Sequence, residues 1–202
     1  MLKIGLTGSI GTGKSTVRKL FEELGAYTID ADKVVHQLLT REDVKREIRE
    51  KIGDVFNSKG EIDRKKLAGI VFNNYEKKKL LENIIHPKVR EEIDRIIKSI
   101  ENSDKEAIVI VEVPLLIETG SYKNYDLVIV VYAPFEKQLE RLISKGFSKE
   151  DAIKRIQSQM NIEEKIKFAD IVIDNSKDLE NLKNEVYKAF KNIKEIKDER
   201  EN

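Results

Sequence analysis

Cysteine and tryptophan are absent from this chain of 202 residues, which also contains only three prolines and two methionines. The lack of cysteine excludes disulfide bonds and cysteine-based metal sites. No apolar run of signal-peptide form precedes the first predicted strand, which begins at Leu2. The longest apolar run, Leu127 to Ala133, is too short to span a bilayer. We therefore expect a cytoplasmic protein that does not enter membranes.

An excess of charge of one sign is also lacking, because 38 basic and 37 acidic residues leave a net charge of +1. A chain with this balance has no overall field that attracts nucleic acid or an anionic membrane, although local basic patches remain possible. The length is that of about one domain. Apolar residues make up 40% of the chain, which is enough for a hydrophobic core.

A glycine-rich segment near the N-terminus carries the strongest motif. Its residues Gly8, Gly13, Lys14 and Ser15 fit the pattern G-x-x-x-x-G-K-[ST] of a phosphate-binding loop. An apolar strand pattern precedes the segment, and a helical pattern follows it from about Lys14 to Leu24. This strand-loop-helix context is the one in which the motif binds phosphate. A glycine-rich turn without a ligand is the alternative.

The spacing of the motif follows from the chemistry of a polyphosphate. Glycines at 8, 11 and 13 allow backbone conformations in which successive N–H groups turn inward around an anion. The positive end of the following helix points at the same anion. Lys14 would bridge the β- and γ-phosphates, and the Ser15 hydroxyl would take one position on Mg²⁺. The loop therefore predicts a nucleoside triphosphate with magnesium, and leaves the phosphate acceptor open.

Five apolar strands alternate with helical patterns along the chain. The strands are predicted to begin at Leu2 and to cover residues 26–29, 107–113, 127–132 and 171–173. Alternation of this kind predicts an α/β fold in which helices cover a parallel sheet. Residues 33–103 read as helical, broken by turns, with a turn at Asn57-Ser58-Lys59-Gly60 and Asp63 as a helix cap. Pro87 is predicted to be the first residue of a helix that reaches Ile100. The last helix is predicted to end near Ile196 and to leave a frayed polar tail.

Acidic residues follow two of the predicted strands, at the sheet edge where ligands bind in parallel sheets. Asp30 and Asp32 come after the second strand, and either of them could instead cap a helix that starts at Lys33. Glu112 lies near the end of the third strand and is a candidate to hold magnesium through water. The alternative for Glu112 is a carboxylate at the sheet edge without a ligand.

Three cations cluster in a predicted helix-turn-helix after the fourth strand. Ser148 is the predicted cap of its second helix, which is expected to run to about Met160. Arg141, Lys145 and Arg155 could close over the triphosphate as a lid and offset the charge that develops on the transferred phosphoryl group. In a chain this rich in lysine, a solvated basic face is the alternative for each of them.

The motifs favour a small-molecule kinase over a nucleotide-driven switch. A switch would need D-x-x-G and N-K-x-D segments, but no Asp is followed three residues later by Gly, and no Asn is followed by Lys. The chain also has little room for the signature segments of a transport or motor ATPase. A kinase needs an acid beside the acceptor, a helical acceptor lobe and a cationic lid, and each has a candidate here.

Beyond this class, the chain resembles the dephospho-coenzyme A kinase family over nearly its whole length. The likeness is carried by short segments in a fixed order: residues 6–15, Ile29-Asp30-Ala31-Asp32, His86-Pro87, Val113-Pro114-Leu115-Leu116-Ile117-Glu118, residues 155–159 and Ala169-Asp170-Ile171-Val172-Ile173-Asp174-Asn175. The resemblance implies transfer of phosphate from ATP to the ribose 3′-hydroxyl of dephospho-CoA. A nucleoside or nucleoside monophosphate kinase on the same fold is the alternative, and a nucleotide-binding scaffold is the non-enzymatic one.

The resemblance also assigns roles by position. Asp32 would orient the 3′-hydroxyl and accept its proton, Lys14 and Arg141 would act on the phosphates, and His86 and Leu115 would contact dephospho-CoA. The expected metal contacts are Ser15 and Glu112. Residues expected to contact ATP are Gly8, Gly11, Thr12, Gly13, Lys14, Ser15, Thr16, Asp174 and Asn175.

The fold implied by the resemblance is a P-loop NTPase-type three-layer sandwich with a five-stranded parallel sheet, a helical substrate lobe and a helical lid. We expect one kinase unit over residues 1–202, with its core in residues 1–32, 106–140 and 168–202. The substrate lobe is expected over 33–105 and the lid over 141–167. ATP and Mg²⁺ are the expected cofactors. A monomer is expected, with dephospho-CoA as its partner and no nucleic acid.

Overall fold

A computed structural model describes residues 1–201, with the side chain of Glu201 left aside; residue 202, where the predicted core ends, lies outside the described residues. Five parallel strands form one sheet in the order β2-β3-β1-β4-β5. The strands are β1 Leu2–Gly8, β2 Tyr27–Asp30, β3 Ile108–Glu112, β4 Leu127–Tyr132 and β5 Ile171–Asp174. The predicted parallel sheet is confirmed, and each strand lies within about two residues of its expected bounds.

Nine α-helices connect and flank these strands among the described residues. They are α1 Lys14–Glu23, α2 Ala31–Leu38, α3 Glu42–Lys51, α4 Arg64–Phe72, α5 Tyr75–Ser103, α6 Phe135–Ser144, α7 Lys149–Gln157, α8 Ile162–Ile166 and α9 Leu179–Glu201. A short 3-10 helix, Ser121–Asn124, precedes β4. The chain divides into two compact units, one made of residues 1–30 with the chain from Ile100 onward, and the other of Ala31–Ser99.

In the first unit, alternate strand residues point to opposite sides of the sheet. Because both sides are apolar, both are covered by other parts of the chain. Leu127, Ile129 and Val131 of β4 pack in a core with α1 and α9, where Phe21 meets Phe190 at a ring-centroid distance of 6.1 Å. The residues between them, Val128 and Val130, pack on the other face against Leu116, Ile117 and Ile162. The three-layer sandwich expected from the sequence is therefore confirmed.

The carboxyl ends of the strands collect the polar groups of the first unit. Asp30 and Glu112 are directly opposite each other in the register of β2 and β3, and β1 ends at Gly8, opposite Val131. The sheet thus sets the start of the glycine-rich loop beside two carboxylates.

The second unit is helical and has its own core, built from α3, α4, part of α5 and the turn between α3 and α4. Its buried apolar residues are Val44, Ile48, Ile52, Val55, Phe56, Leu67, Ile84 and Ile85. The turn reverses at Gly60, whose N–H donates to the Asn57 carbonyl, as the sequence predicted. Asp63 caps α4 by accepting the N–H groups of Lys65 and Lys66 at 3.0 and 3.1 Å.

Several predicted helix limits are wrong. Pro87 does not begin a helix but lies inside the 29-residue α5. Proline removes one intrahelical hydrogen bond; buried isoleucines on both sides of it, such as Ile84 and Ile93, hold the helix against the protein. Helix α2 begins at Ala31 rather than Lys33, so Asp32 lies in its first turn.

The C-terminal half contains two further differences. The helix predicted to run to Met160 ends at Gln157, and α8 follows as a separate short helix. The predicted frayed tail is helical through Glu201. Tertiary ion pairs explain this extension, since Lys197 pairs with Glu106 and Arg200 pairs with Asp126 at 3.8 Å.

We expect Asp63→Ala to lower the free energy of unfolding by about 1 kcal/mol, because two N–H groups at the start of α4 lose their acceptor. Urea unfolding followed by circular dichroism measures the change. Asp94→Ala is the matched control, since Asp94 is exposed on α5, and it should change stability by at most about 0.5 kcal/mol. Equal losses in the two variants would contradict a capping role.

Candidate active site

The glycine-rich loop, residues 8–15, curls around its own Ser9 carbonyl. That oxygen accepts the Thr12 N–H at 3.2 Å, the Thr12 hydroxyl at 2.8 Å and the Lys14 ammonium at 3.0 Å. Thr12 is fully buried, whereas Ser15 and Thr16 are exposed in the first turn of α1. The loop is thus a closed turn that leads directly into the positive end of a helix, as the motif predicted.

Asn175, which directly follows β5, fixes the second half of the loop. Its side-chain Nδ2 donates to the Thr12 carbonyl at 2.7 Å, and the residue is only 7% exposed. In a planar trans peptide the N–H of the next residue points opposite to the carbonyl. The bond to Thr12 therefore turns the Gly13 N–H away from Asn175.

Gly13 is required by both its backbone conformation and its surroundings. Its φ is 93°, in the left-handed region, and a Cβ built there would lie 2.4 Å from Asn175 Nδ2. A side chain at this position would displace the amide that holds the Thr12 carbonyl.

Arg141 of α6 also binds this part of the loop. Its guanidinium donates to the carbonyls of Gly11 at 3.2 Å, Thr12 at 3.4 Å and Asn175 at 2.7 Å. The side chain therefore joins the loop, β5 and α6 around one cation. The sequence identified Arg141 as a lid cation; its role in holding loop carbonyls was not predicted.

A cavity of about 460 Å³ opens beside the loop in the first unit. Its lining includes four cations, Lys14, Arg141, Lys145 and Lys177, and a single carboxylate, Glu112. The size is that of a small-molecule site. An excess of cations beside the loop N–H groups suits a bound polyphosphate.

Several of the predicted nucleotide and metal residues meet at this cavity, which is lined by Gly11, Gly13, Lys14, Ser15, Thr16, Glu112, Arg141 and Asn175. Gly8, Thr12, Asp174 and Leu115 do not line it. Asp174 instead accepts the Ser176 N–H at 2.9 Å, and Leu115 is 44% exposed after Pro114. Asp32 and His86 belong to the second unit, where both are exposed.

The predicted group of three lid cations is divided in the structure. Arg141 and Lys145 line the cavity, whereas Arg155 lies over the Phe147 ring with its guanidinium carbon 4.7 Å from the centroid. Phe147 packs with Leu142 and Ile156 between α6 and α7. Arg155 is thus part of the packing of this helix pair.

Arg18 was missed by the sequence analysis. It is 6% exposed in α1, and its Nε donates to Glu112 Oε2 at 2.8 Å while Nη2 lies 3.5 Å from Asp30 Oδ2. The available signal was its position next to Val17 and one turn before the apolar Phe21, on the buried side of an amphipathic helix. Arg18 makes ion pairs with two carboxylates that the sheet register sets side by side.

The donors present fit a magnesium ion bound together with a nucleotide. Ser15 offers a hydroxyl and Glu112 a carboxylate at the same cavity, and Arg18 engages the Oε2 oxygen of Glu112. Mg²⁺ is commonly held by one or two protein oxygens plus substrate phosphates. Among residues 1–201 no group of three His, Cys, Asp or Glu could hold a metal by itself.

A parallel sheet with a phosphate-binding loop after its central strand and a cationic cavity beside it defines the class of P-loop kinase folds. A shikimate kinase from Bacteroides thetaiotaomicron has the same fold, with a TM-score of 0.53 at 15% identity over 96% of this chain and 98% of that one.

No described helix combines the length and apolar character needed to cross a membrane.

Within this class the chain belongs to the dephospho-CoA kinase family (CoaE), whose sequence model matches residues 2–181. It is 48% identical to a dephospho-CoA kinase of Aquifex aeolicus over 197 residues, 96% of this chain and 97% of the relative. The solved dephospho-CoA kinase from Campylobacter jejuni is 36% identical, with a TM-score of 0.71 over 94% of this chain and 96% of that one. The family resemblance drawn from the sequence is confirmed.

We expect Gly13→Ala to weaken ATP binding by about tenfold or more, since a Cβ would push Asn175 from the Thr12 carbonyl and misdirect the loop N–H groups. Isothermal titration with ATP and magnesium measures the affinity. Gly25→Ala is the matched control: its φ of 97° imposes similar backbone strain, but no atom lies within 4 Å of the new Cβ. An equal loss of ATP affinity in both variants would contradict the explanation.

Proposed function

We propose that this protein transfers the γ-phosphoryl group of ATP to the ribose 3′-hydroxyl of dephospho-CoA, which gives CoA and ADP. Membership of the dephospho-CoA kinase family over residues 2–181 is the observation that carries this proposal. The cationic cavity beside the loop supports the donor half of the reaction, because four cations at one site match a triphosphate.

On the donor side, loop N–H groups and Lys14 hold the phosphates and offset the charge of the transition state. Lys14 contacts the Ser9 carbonyl at 3.0 Å, and its flexible stem lets the ammonium turn to a bound phosphate. Arg141 acts from the rim of the same cavity. Gly8, Gly11, Thr12 and Gly13 shape the loop, and Thr16, which lines the cavity from the first turn of α1, contacts the nucleotide. We also assign Asp174 and Asn175 to the nucleotide site.

A magnesium ion would be held by the Ser15 hydroxyl and, directly or through water, by Glu112. When bound, it offsets the negative charge of the triphosphate. Arg18 engages the Oε2 oxygen of Glu112, which lines the cavity, and we assign the metal contact to the other carboxylate oxygen.

On the acceptor side, Asp32 takes the proton of the 3′-hydroxyl as the hydroxyl oxygen forms its bond to the γ-phosphorus and the bond to the ADP oxygen breaks. His86 and Leu115 contact dephospho-CoA. We assign the substrate lobe to residues 33–105 and the lid to 141–167. The exposure of Asp32 and its place in the first turn of α2 support a role toward a ligand rather than in the core.

We further propose that the protein works in the cytoplasm as a monomer, with no nucleic acid partner. The net charge of +1 supports the absence of a nucleic acid partner, since proteins that bind the nucleic acid backbone normally carry a clear excess of basic residues.

Comparing acceptors tests the proposed reaction. The protein is incubated with ATP and magnesium and with dephospho-CoA, a nucleoside or a nucleoside monophosphate, and the release of ADP is followed. We expect ADP release to depend on dephospho-CoA alone, with one new phosphate on its ribose by mass spectrometry. Preference for another acceptor, or ATP binding without acceptor-dependent turnover, would overturn the proposal.

We expect Asp32→Asn to lower kcat by roughly 10²–10⁴-fold while ATP binding is retained, because an amide cannot accept the hydroxyl proton. Steady-state kinetics and titration with ATP give the two quantities. Asp94→Asn is the control, an exposed carboxylate of the same unit with kcat expected to stay at the wild-type value. Wild-type kcat in a folded Asp32→Asn protein would remove the role of general base.

A further inference from the structure

Lys165 of α8 is completely buried, which is unusual for lysine. Its ammonium lies 2.8 Å from Glu118 Oε1 and donates to the carbonyls of Gly8 at 3.2 Å and Pro114 at 3.3 Å. An ammonium has three N–H donors, so these three acceptors use all of them. The proposed roles of the nucleotide and acceptor residues do not involve Lys165 or Glu118.

The placement of this charge follows from the elements it joins. Gly8 ends β1 and begins the phosphate-binding loop, and Pro114 comes two residues after β3 ends. Because the Gly8 carbonyl is held by Lys165, the planar peptide turns the Ser9 N–H to the opposite side. Lys165 therefore orients the first peptide of the loop from the side opposite to the Ser9 N–H.

The same pair also contacts a segment near the C-terminal end of the lid, residues 159–165, which we call the lid exit. Glu118 accepts the Met160 N–H at 3.2 Å, Gln159 Oε1 accepts the Ile10 N–H at 2.8 Å, and the Ser9 hydroxyl donates to the Met160 carbonyl at 3.4 Å. With Lys165 on Gly8, both ends of this segment are bonded to residues 8–10. The lid exit and the loop thus form one hydrogen-bonded unit.

Stability alone is a poor reason to bury the Lys165 charge. Withdrawing an ammonium from water offsets much of its attraction to Glu118, whose side chain is 21% exposed, and apolar replacements of buried ionic groups are often neutral or stabilising. An apolar side chain at 165 would, however, leave the Gly8 and Pro114 carbonyls without this donor. The ammonium therefore serves to orient the peptide that joins Gly8 to Ser9 at the start of the loop.

We propose that Lys165 and Glu118 are a positioning pair that orients the start of the phosphate-binding loop and anchors the lid exit to it. The inference rests on the proposed function, since the loop it orients is the ATP site. Neither residue needs to touch substrate. Loss of the pair should weaken ATP binding and phosphoryl transfer while leaving the acceptor site unchanged.

The test compares two lysine-to-methionine variants. Lys165→Met removes the positioning charge, whereas Lys197→Met removes a lysine of similar burial whose partner is Glu106, away from the loop. Thermal unfolding, titration with ATP and magnesium, and steady-state kinetics with dephospho-CoA are measured on both. Lys165→Met should raise the Kd for ATP and lower kcat, each by about tenfold or more, with the KM for dephospho-CoA within about twofold.

Lys197→Met should keep ATP affinity and kcat at the wild-type values, whatever its stability. Glu118→Gln is a second test in case Lys165→Met fails to fold, because it keeps the shape of a side chain that is 21% exposed. It should also raise the Kd for ATP and lower kcat. Because the two residues act as one unit, the double variant should be less impaired than the product of the single effects.

Three results would overturn the proposal: wild-type ATP affinity and kcat in folded Lys165→Met, an equal effect in Lys197→Met, or independent multiplication of the two single effects. The proposed function can fail separately. If the wild-type protein does not phosphorylate dephospho-CoA, the acceptor assignment is wrong, whereas the ratio of ATP affinities between the two lysine variants still decides whether Lys165 orients the loop.

Discussion

The direction of a few peptide planes is the constraint on which the site depends. A loop can present N–H groups to a polyphosphate only if the carbonyls of the same peptides are held on the other side. Here that work is done by three side chains: Lys165 bonds the Gly8 carbonyl, Asn175 the Thr12 carbonyl, and Arg141 the carbonyls of Gly11 and Thr12. Glycine permits the loop conformation, and these donors select it.

The parallel sheet is what brings those donors together from distant parts of the chain. Asn175 arrives because β5 pairs with β4, and Lys165 arrives on the short helix just before β5. The register of β2 and β3 similarly sets Asp30 opposite Glu112, and Arg18 of α1 makes an ion pair with each of these two like charges. A cation from a neighbouring helix is thus the common solution at this sheet edge, both for carbonyls and for carboxylates.

Patterns that repeat locally could be predicted from the sequence, whereas contacts between distant residues could not. The loop motif, five strands and the Asp63 and Ser148 caps follow from short-range rules, and the structure bears them out. Lys165 could not be distinguished from the other basic residues, because its burial depends on packing between elements, and the helical pattern around Arg18 gave its buried side but not its two carboxylate partners. The position of Pro87 inside α5 is missed for the same reason, since tertiary contacts override a local preference.

Charged donors at these positions have a physical reason that apolar packing cannot replace. A buried carbonyl of the loop needs a donor in any case, since leaving it unsatisfied costs about 1–3 kcal/mol. A backbone N–H could supply one bond, but a guanidinium or an ammonium reaches several carbonyls at once and joins separate elements, as Arg141 joins the loop, β5 and α6. A donor that binds a loop carbonyl fixes the plane of that peptide and so also the direction of its N–H group. The loop therefore has its phosphate-binding shape before any ligand binds.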